Sequence, residues 1–152
     1  MAETNTTQGA KIIAQTKLLP HESFGRERRL CAKMPTTYAQ LAINDTVFFG
    51  RIPAGSRILA GSKLSCAAGT ASSTMDIGLR STRTQTLLNT GQGLAIALDI
   101  AAAGVKDINT GTYIAAGAEF VTTEECDVVG TVKGAVMAAN QALKVEIAYV
   151  ND

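Results

Sequence analysis

Apolar residues recur at every second position in several short segments, and this alternation is the feature that most limits what the chain can fold into. A period of two places successive side chains on opposite faces of a β-strand, one toward a core and one toward solvent. Runs of Gly, Asn, Ser and Thr separate the segments and favour turns. We therefore predict an all-β protein of antiparallel sheets. Its predicted core residues are Ile58, Leu64, Ile77, Leu79, Ile96, Leu98, Val145 and Ile147.

The strand boundaries follow from the same pattern and from the turn residues between segments. Predicted strands cover residues 29–34, 38–43, 46–52, 57–66, 74–80, 93–100, 118–123, 126–133 and 143–150. Residues 82–90 are ambiguous, and residues 136–143 fit a turn or a single helical turn. The Ala-rich stretch 94–103 could form a helix ended by Gly104, but its alternating large residues favour a strand.

Length and composition indicate one domain with an aliphatic core. A chain of 152 residues can bury a core without metals or disulfides, and aromatic residues make up only 5% of it. The formal net charge of +1 provides no field that would attract nucleic acid or an anionic membrane. The first residues lack a signal peptide, and no long apolar run predicts a membrane span, so we expect synthesis in a cytoplasm.

The composition divides the chain into an extended N-terminal arm, residues 1–27, and a β-sandwich domain, residues 28–152. The arm is too polar to fold alone, yet it carries Ile12, Ile13, Leu18 and Leu19. These residues either belong to a solvated terminus or dock on a neighbouring surface.

A basic cluster stands at the junction of arm and domain. Arg26, Arg28 and Arg29 lie within four residues. Their guanidinium groups could bind carboxylates of a partner through bidentate hydrogen bonds, could bind phosphates, or could mark the solvated start of a strand.

The chain shows no residue pattern for catalysis or for a cofactor. One histidine, His21, and three scattered cysteines do not make a zinc site or a nucleophile with its base. We expect Cys31, Cys66 and Cys126 to be reduced and mostly buried. The acidic run 124–127 favours a solvated bend over a cation site. No catalytic, cofactor-binding or metal-binding residue is therefore predicted.

A resemblance supplies the functional hypothesis. The run Thr46–Gly61, the segment Met75–Leu79 and the closing segment Leu143–Val150 resemble the capsid decoration proteins, or cement proteins, of tailed bacteriophages. The resemblance covers about residues 45–150 as a pattern of strands and turns.

This resemblance implies a jelly-roll-like sandwich on the outer surface of a virion, bound to the major capsid protein. It further implies a dimer or trimer without enzymatic activity, whose arm crosses the lattice. The arm's predicted capsid-binding residues are Ile12, Ile13, Leu18, Leu19, Arg26, Arg28 and Arg29.

Two other functions fit a strand-rich chain without catalytic residues. A phage tail tube or fibre component would assemble into rings or trimers in the absence of capsid. A carbohydrate-binding sandwich would usually expose aromatic platforms, whereas Trp is absent here and the three tyrosines are dispersed.

Overall fold

The alternating segments form two antiparallel sheets that pack face to face. The computed structural model describes residues 13–15 and 26–151. Its nine strands in that part of the chain are β1 (Glu27–Lys33), β2 (Thr46–Ile52), β3 (Arg57–Ile58), β4 (Lys63–Cys66), β5 (Thr74–Ser81), β6 (Ala95–Asp99), β7 (Gly104–Asp107), β8 (Cys126–Lys133) and β9 (Leu143–Val150). One sheet has the order β1-β9-β4-β7, with β3 also paired to β9, and the other has the order β2-β8-β5-β6. The predicted all-β, jelly-roll-like sandwich is confirmed.

The core lies between the inward faces of the two sheets. Seven of the eight predicted core residues are buried, and they pack with further apolar residues that include Ile52, Met75, Val128 and Leu143. Burial of apolar surface stabilises a fold by about 25 cal/mol per Å², and it is the main force that holds such sheets together.

Ile96 is the exception, because its side chain is 38% exposed. The β5–β6 ladder pairs Met75 with Leu98 but Ile77 with Ala95, so β6 contains one extra residue. This bulge, at which Ala97 has a φ of 49°, moves Ile96 to the outer face and Ala95 to the core. The prediction that Ile96 belongs to the core was wrong for this reason.

Strand β5 is buried on both faces, contrary to the simple alternation of its sequence. Asp76 is buried and accepts hydrogen bonds from Gln92 Nε2 and from the Ala97 amide, both at 2.8 Å. The segment 82–93 covers the outer face of β5, and a Cβ at Gly78 would lie 2.4 Å from the backbone of Gly91. The outer face of β5 is therefore a packed layer.

Three predicted strands are absent or interrupted in the structure. Residues 38–43 and 118–123 make only single bridges, Leu41 with Met137 and Val121 with Arg57. The predicted strand 57–66 is interrupted by a turn between β3 and β4. The short strand β7, with only one large apolar residue, was not predicted. Within the stretch 94–103, residues Ala95–Asp99 form the strand β6, as expected, and the stretch contains no helix.

Candidate binding surface

The outer face of the β1-containing sheet carries most of the charge that this sheet exposes. The pairing registers place Cys31, Glu146, Lys63 and Asp107 in one row across the sheet. A second row contains Lys33, Lys144, Ser65 and Val105. Together with Arg29, these residues form what we call the basic face.

Ion pairs order the side chains of the basic face. Arg29 donates to Glu27 at 2.9 Å and lies 3.6 Å from Glu146, while Lys144 also pairs with Glu146. The hydrogen bond from Lys144 lowers the pKa of Glu146 and raises the pKa of Lys144. All these groups remain partly exposed to solvent, so the pairs stabilise the fold only slightly and stay available to a partner.

Lys33 is the cation of this face that pairs with none of its carboxylates. Its side chain is exposed and has no acidic partner within the described residues. Val105, 65% exposed, adds an apolar contact on the same row. Such a face, with ordered cations and an apolar spot, suits a partner surface that bears carboxylates.

The structure separates the three arginines of the predicted basic cluster. Arg26 precedes β1, whereas Arg28 and Arg29 are consecutive strand residues and point to opposite faces. Only Arg29 joins the basic face. Arg26 and Arg28 are exposed and have no ion pair among residues 26–151.

Of the four apolar arm residues that were predicted to bind, the structure describes one. Ile13 has helical backbone geometry and is 69% exposed. Ile12, Leu18 and Leu19 lie outside the described residues. The binding roles of these residues remain predictions.

A second surface lies at the seam between the sheets, where the edge strands β1 and β2 run beside each other. Leu30 of β1 packs on Gly50 of β2. Beside this contact opens a groove of about 460 Å³ that includes Ala32, Met34, Leu41, Val47 and Phe48 among its lining residues. We call it the seam groove.

The seam groove has a fixed floor and an unpaired edge. Tyr38 donates its hydroxyl to the Gln141 carbonyl at 2.6 Å, and the Tyr38 amide donates to Asn140 Oδ1 at 2.8 Å. The Met34 amide donates to the Leu143 carbonyl, so Met34 and Leu143 are a hydrogen-bonded pair of the antiparallel β1–β9 ladder. Residues at every second position from Met34 bond to β9, and the residues between them do not. Arg29, Cys31 and Lys33 therefore turn their backbone groups away from β9, and no described residue bonds to them.

Sequence reasoning missed Phe48 as a surface residue. Phe48 and Phe49 are consecutive in β2, so alternation must expose one of them, and Phe48 is 56% exposed. The adjacent aromatic pair was the available signal.

Asp127 was predicted to lie in a solvated bend, but its side chain is only 2% exposed. It accepts from Arg51 Nε at 2.8 Å and from Arg80 at 3.0 Å. Burial by itself would raise the pKa of Asp127, yet the two arginine hydrogen bonds outweigh burial and hold that pKa below its usual value. The cluster stabilises the sheet and presents no open ligand position.

Two of the three cysteines are buried, and all three are free thiols. Burial raises the pKa of Cys66, and it raises the pKa of Cys126 to about 11. Most of the cysteines are therefore buried, as expected, and Cys31, exposed on the basic face, is the exception.

Within residues 13–15 and 26–151, no cluster of three or more His, Cys, Asp or Glu side chains is placed to bind a metal ion. The described part of the chain also contains no helix of the length and hydropathy that a membrane crossing requires.

Comparisons with known proteins relate the chain to others by fold. Neither a family model nor a curated protein sequence matches it. A chain in the capsid of Ralstonia phage GP4 has a TM-score of 0.64 at 16% identity, over 90% of this chain and 92% of that chain. A chain in the capsid asymmetric unit of cyanophage Pam1 has a TM-score of 0.56 at 18% identity, over 100% of both chains. This sandwich is therefore a fold that occurs in the capsids of bacteriophages.

Proposed function

We propose that this chain is a structural virion protein, a decoration or cement protein that binds the outer surface of the phage major capsid lattice and stabilises the shell. The observation that carries the proposal is the likeness to two phage capsid chains along nearly the whole length of each. Because the match covers 92% of one of those chains and 100% of the other, the fold makes up nearly the whole of each.

The geometry of the chain supports a binding role rather than catalysis. The basic face consists largely of solvated ion pairs, and the buried carboxylate of Asp127 already accepts hydrogen bonds from two arginines. In the proposed role, the basic face meets carboxylates of the major capsid protein. Many weak contacts, repeated over a lattice by an oligomer, hold the shell together.

The arm completes the proposal. Ile12, Ile13, Leu18 and Leu19 fill apolar grooves on neighbouring subunits, and Arg26, Arg28 and Arg29 pair with carboxylates there. The chain acts as a dimer or trimer, has no enzymatic activity, and is synthesised in the host bacterial cytoplasm before it joins the virion.

The test uses expanded shells of the phage that encodes this chain, prepared without it. Purified full-length protein is added, its occupancy on the shells is counted by electron microscopy, and the temperature at which the shells rupture is measured. We expect saturable binding to the outer surface and a higher rupture temperature. Deletion of residues 1–25 should lower occupancy while the sandwich stays folded.

Binding that leaves shell stability unchanged would remove the cementing role. No binding at saturating protein, or binding inside the shell, would overturn the proposed function. Equal occupancy of the deleted and complete chains would restrict the contact to the sandwich.

A further inference from the structure

The seam groove is an apolar surface that the described part of the chain leaves uncovered. Phe48 lines it and is 56% exposed, although an aromatic side chain of this size favours burial. Ala32 of β1 and Met34, the residue after β1, line the groove as well and are only partly buried. The groove therefore offers apolar area that a partner segment would remove from water.

The edge of β1 adds backbone groups to this apolar surface. The amides and carbonyls of Arg29, Cys31 and Lys33 point away from β9 and have no partner among the described residues. An exposed strand edge is a template for an added extended segment, which gains hydrogen bonds along its length. The groove and the edge run side by side, so one segment could use both.

The chain itself carries a segment of suitable chemistry. Residues 11–19 contain Ile12, Ile13, Leu18 and Leu19. Residues 13–15 form a turn in the single chain, so docking along β1 requires them to extend. The extended segment spans about 30 Å, enough to cover a β1 strand of about 23 Å. Ile13 is 69% exposed, so a single chain leaves it outside its own groove.

We infer that residues 11–19 of one copy dock in the seam groove of a second copy, along the edge of its β1. One chain thus presents both an uncovered apolar side chain and an uncovered apolar groove, and exchange between copies buries both. Reciprocal exchange closes into a dimer or a small ring. The inference rests on the proposed function only for the arm's binding role, since it needs no shell.

A disulfide test distinguishes exchange between copies from folding back within one chain. Two full-length variants are made in a Cys31→Ser background, one with Gln15→Cys in the arm and one with Ala39→Cys at the groove. After mixing and mild oxidation, we expect a disulfide-linked heterodimer of the two variants. Either variant oxidised alone should give no disulfide-linked dimer. No heterodimer, or an intramolecular bridge in a chain that carries both substitutions, would overturn the inference.

Association of the complete chain is measured separately by sedimentation equilibrium. We expect Ile13→Ser and Phe48→Ser each to raise the dissociation constant at least tenfold. Val105→Ser, an equally exposed apolar position on the basic face, is the matched control and should leave it unchanged. Ile13 lies outside the sandwich, so its substitution tests the contact even if Phe48→Ser fails to fold.

A monomeric complete chain, or the same dissociation constant in all three variants, would contradict the exchange. Neither result tests binding to shells, because no shell is present, although a monomeric chain would also remove the dimer or trimer from the proposed function. Conversely, failure to bind shells would leave the exchanged oligomer intact.

Discussion

Asp127 is a charged side chain that two arginines hold within the β2-β8-β5 part of the four-stranded sheet. Arg51 and Arg80 reach it from the strands on either side, along one row of the ladder. A buried carboxylate without such donors would be costly, so the three residues depend on one another. The network also links the outer strand β2 to the centre of the sheet.

We expect Asp127→Asn to lower the free energy of unfolding by about 2 kcal/mol at neutral pH, the size of a charge-assisted hydrogen bond. Because folding lowers the pKa of Asp127, its contribution is present above the unfolded pKa of about 4 and is lost as the pH falls through the folded value. Denaturant titrations at pH 7 and pH 3 check this. The stability difference between the variant and the original chain should shrink at pH 3.

The control for this substitution is Asp107→Asn. Asp107 pairs with Lys63 on the basic face, where both side chains are about half exposed. We expect a change within about 0.5 kcal/mol, as for exposed ion pairs in general. A comparable loss of stability in both variants would mean that burial does not increase the contribution of Asp127 to the free energy of unfolding.

Because of the bulge in β6, simple alternation mispredicts how much a substitution at Ile96 destabilises the fold. Leu98 is buried and Ile96 is exposed, although both are large and lie two residues apart. Leu98→Ala should cost about 2 to 4 kcal/mol, whereas Ile96→Ala should cost less than about 1 kcal/mol. Thermal unfolding of the two variants checks the register, and equal losses would count against the bulge.

At the scale of elements, the segment 82–93 packs closely on β5 because glycines meet there. A Cβ at Gly78 would lie 2.4 Å from the carbonyl carbon of Gly91, and both residues are buried. The backbone of the segment thus contacts the backbone of the strand directly. Only residues without side chains allow this approach.

We expect Gly78→Ala to displace the segment 82–93 and to lower stability by several kcal/mol, about the cost of severe overpacking. Hydrogen exchange should show faster exchange in residues 82–93 and in β5. Gly61→Ala is the matched control, since a Cβ there meets nothing within 4 Å. A folded Gly78→Ala variant with unchanged exchange would show that the segment can shift at little cost.

The sequence was sufficient for the long, strictly alternating strands and insufficient where another part of the chain overrides local pattern. β5, β8 and β9 were placed to within a residue because their apolar period is regular. The bulge in β6 depends on Asp76 and Ala97, which are distant in sequence. The strand β7 depends on pairing with β4 and has little apolar pattern of its own. The local apolar period therefore predicts neither the bulge in β6 nor the strand β7.

The binding surfaces were less accessible to prediction than the fold. The cluster Arg26–Arg29 was visible as a charge run, but strand geometry divides it between faces. The basic face collects lysines from β1, β4 and β9, whose adjacency follows from sheet order and not from sequence distance. The seam groove arises where the edges of two sheets meet, and no motif marks such a junction.

At the scale of the whole molecule, the basic face gives the proposed shell binding an electrostatic component. We expect Lys33→Glu to weaken binding to shells several-fold and to reduce its salt dependence, because a cation near carboxylates becomes a repelling anion. Arg83→Glu makes the same charge change on the segment that covers the other sheet, and it should bind like the original chain. Occupancy at two ionic strengths provides the measurement, and equal losses in both variants would mean that only net charge matters.

Cys31 gives the basic face an intrinsic chemical reporter. It is the exposed thiol at the β1 edge of that face, while Cys66 and Cys126 are buried and their raised pKa values leave little thiolate at neutral pH. Alkylation of the native chain should therefore modify one position quickly. If the face turns toward a shell, the rate at Cys31 should fall on the particle and recover when the protein is released. Particle-bound and free protein that react at the same rate would mean that this side of the sandwich faces the surrounding water.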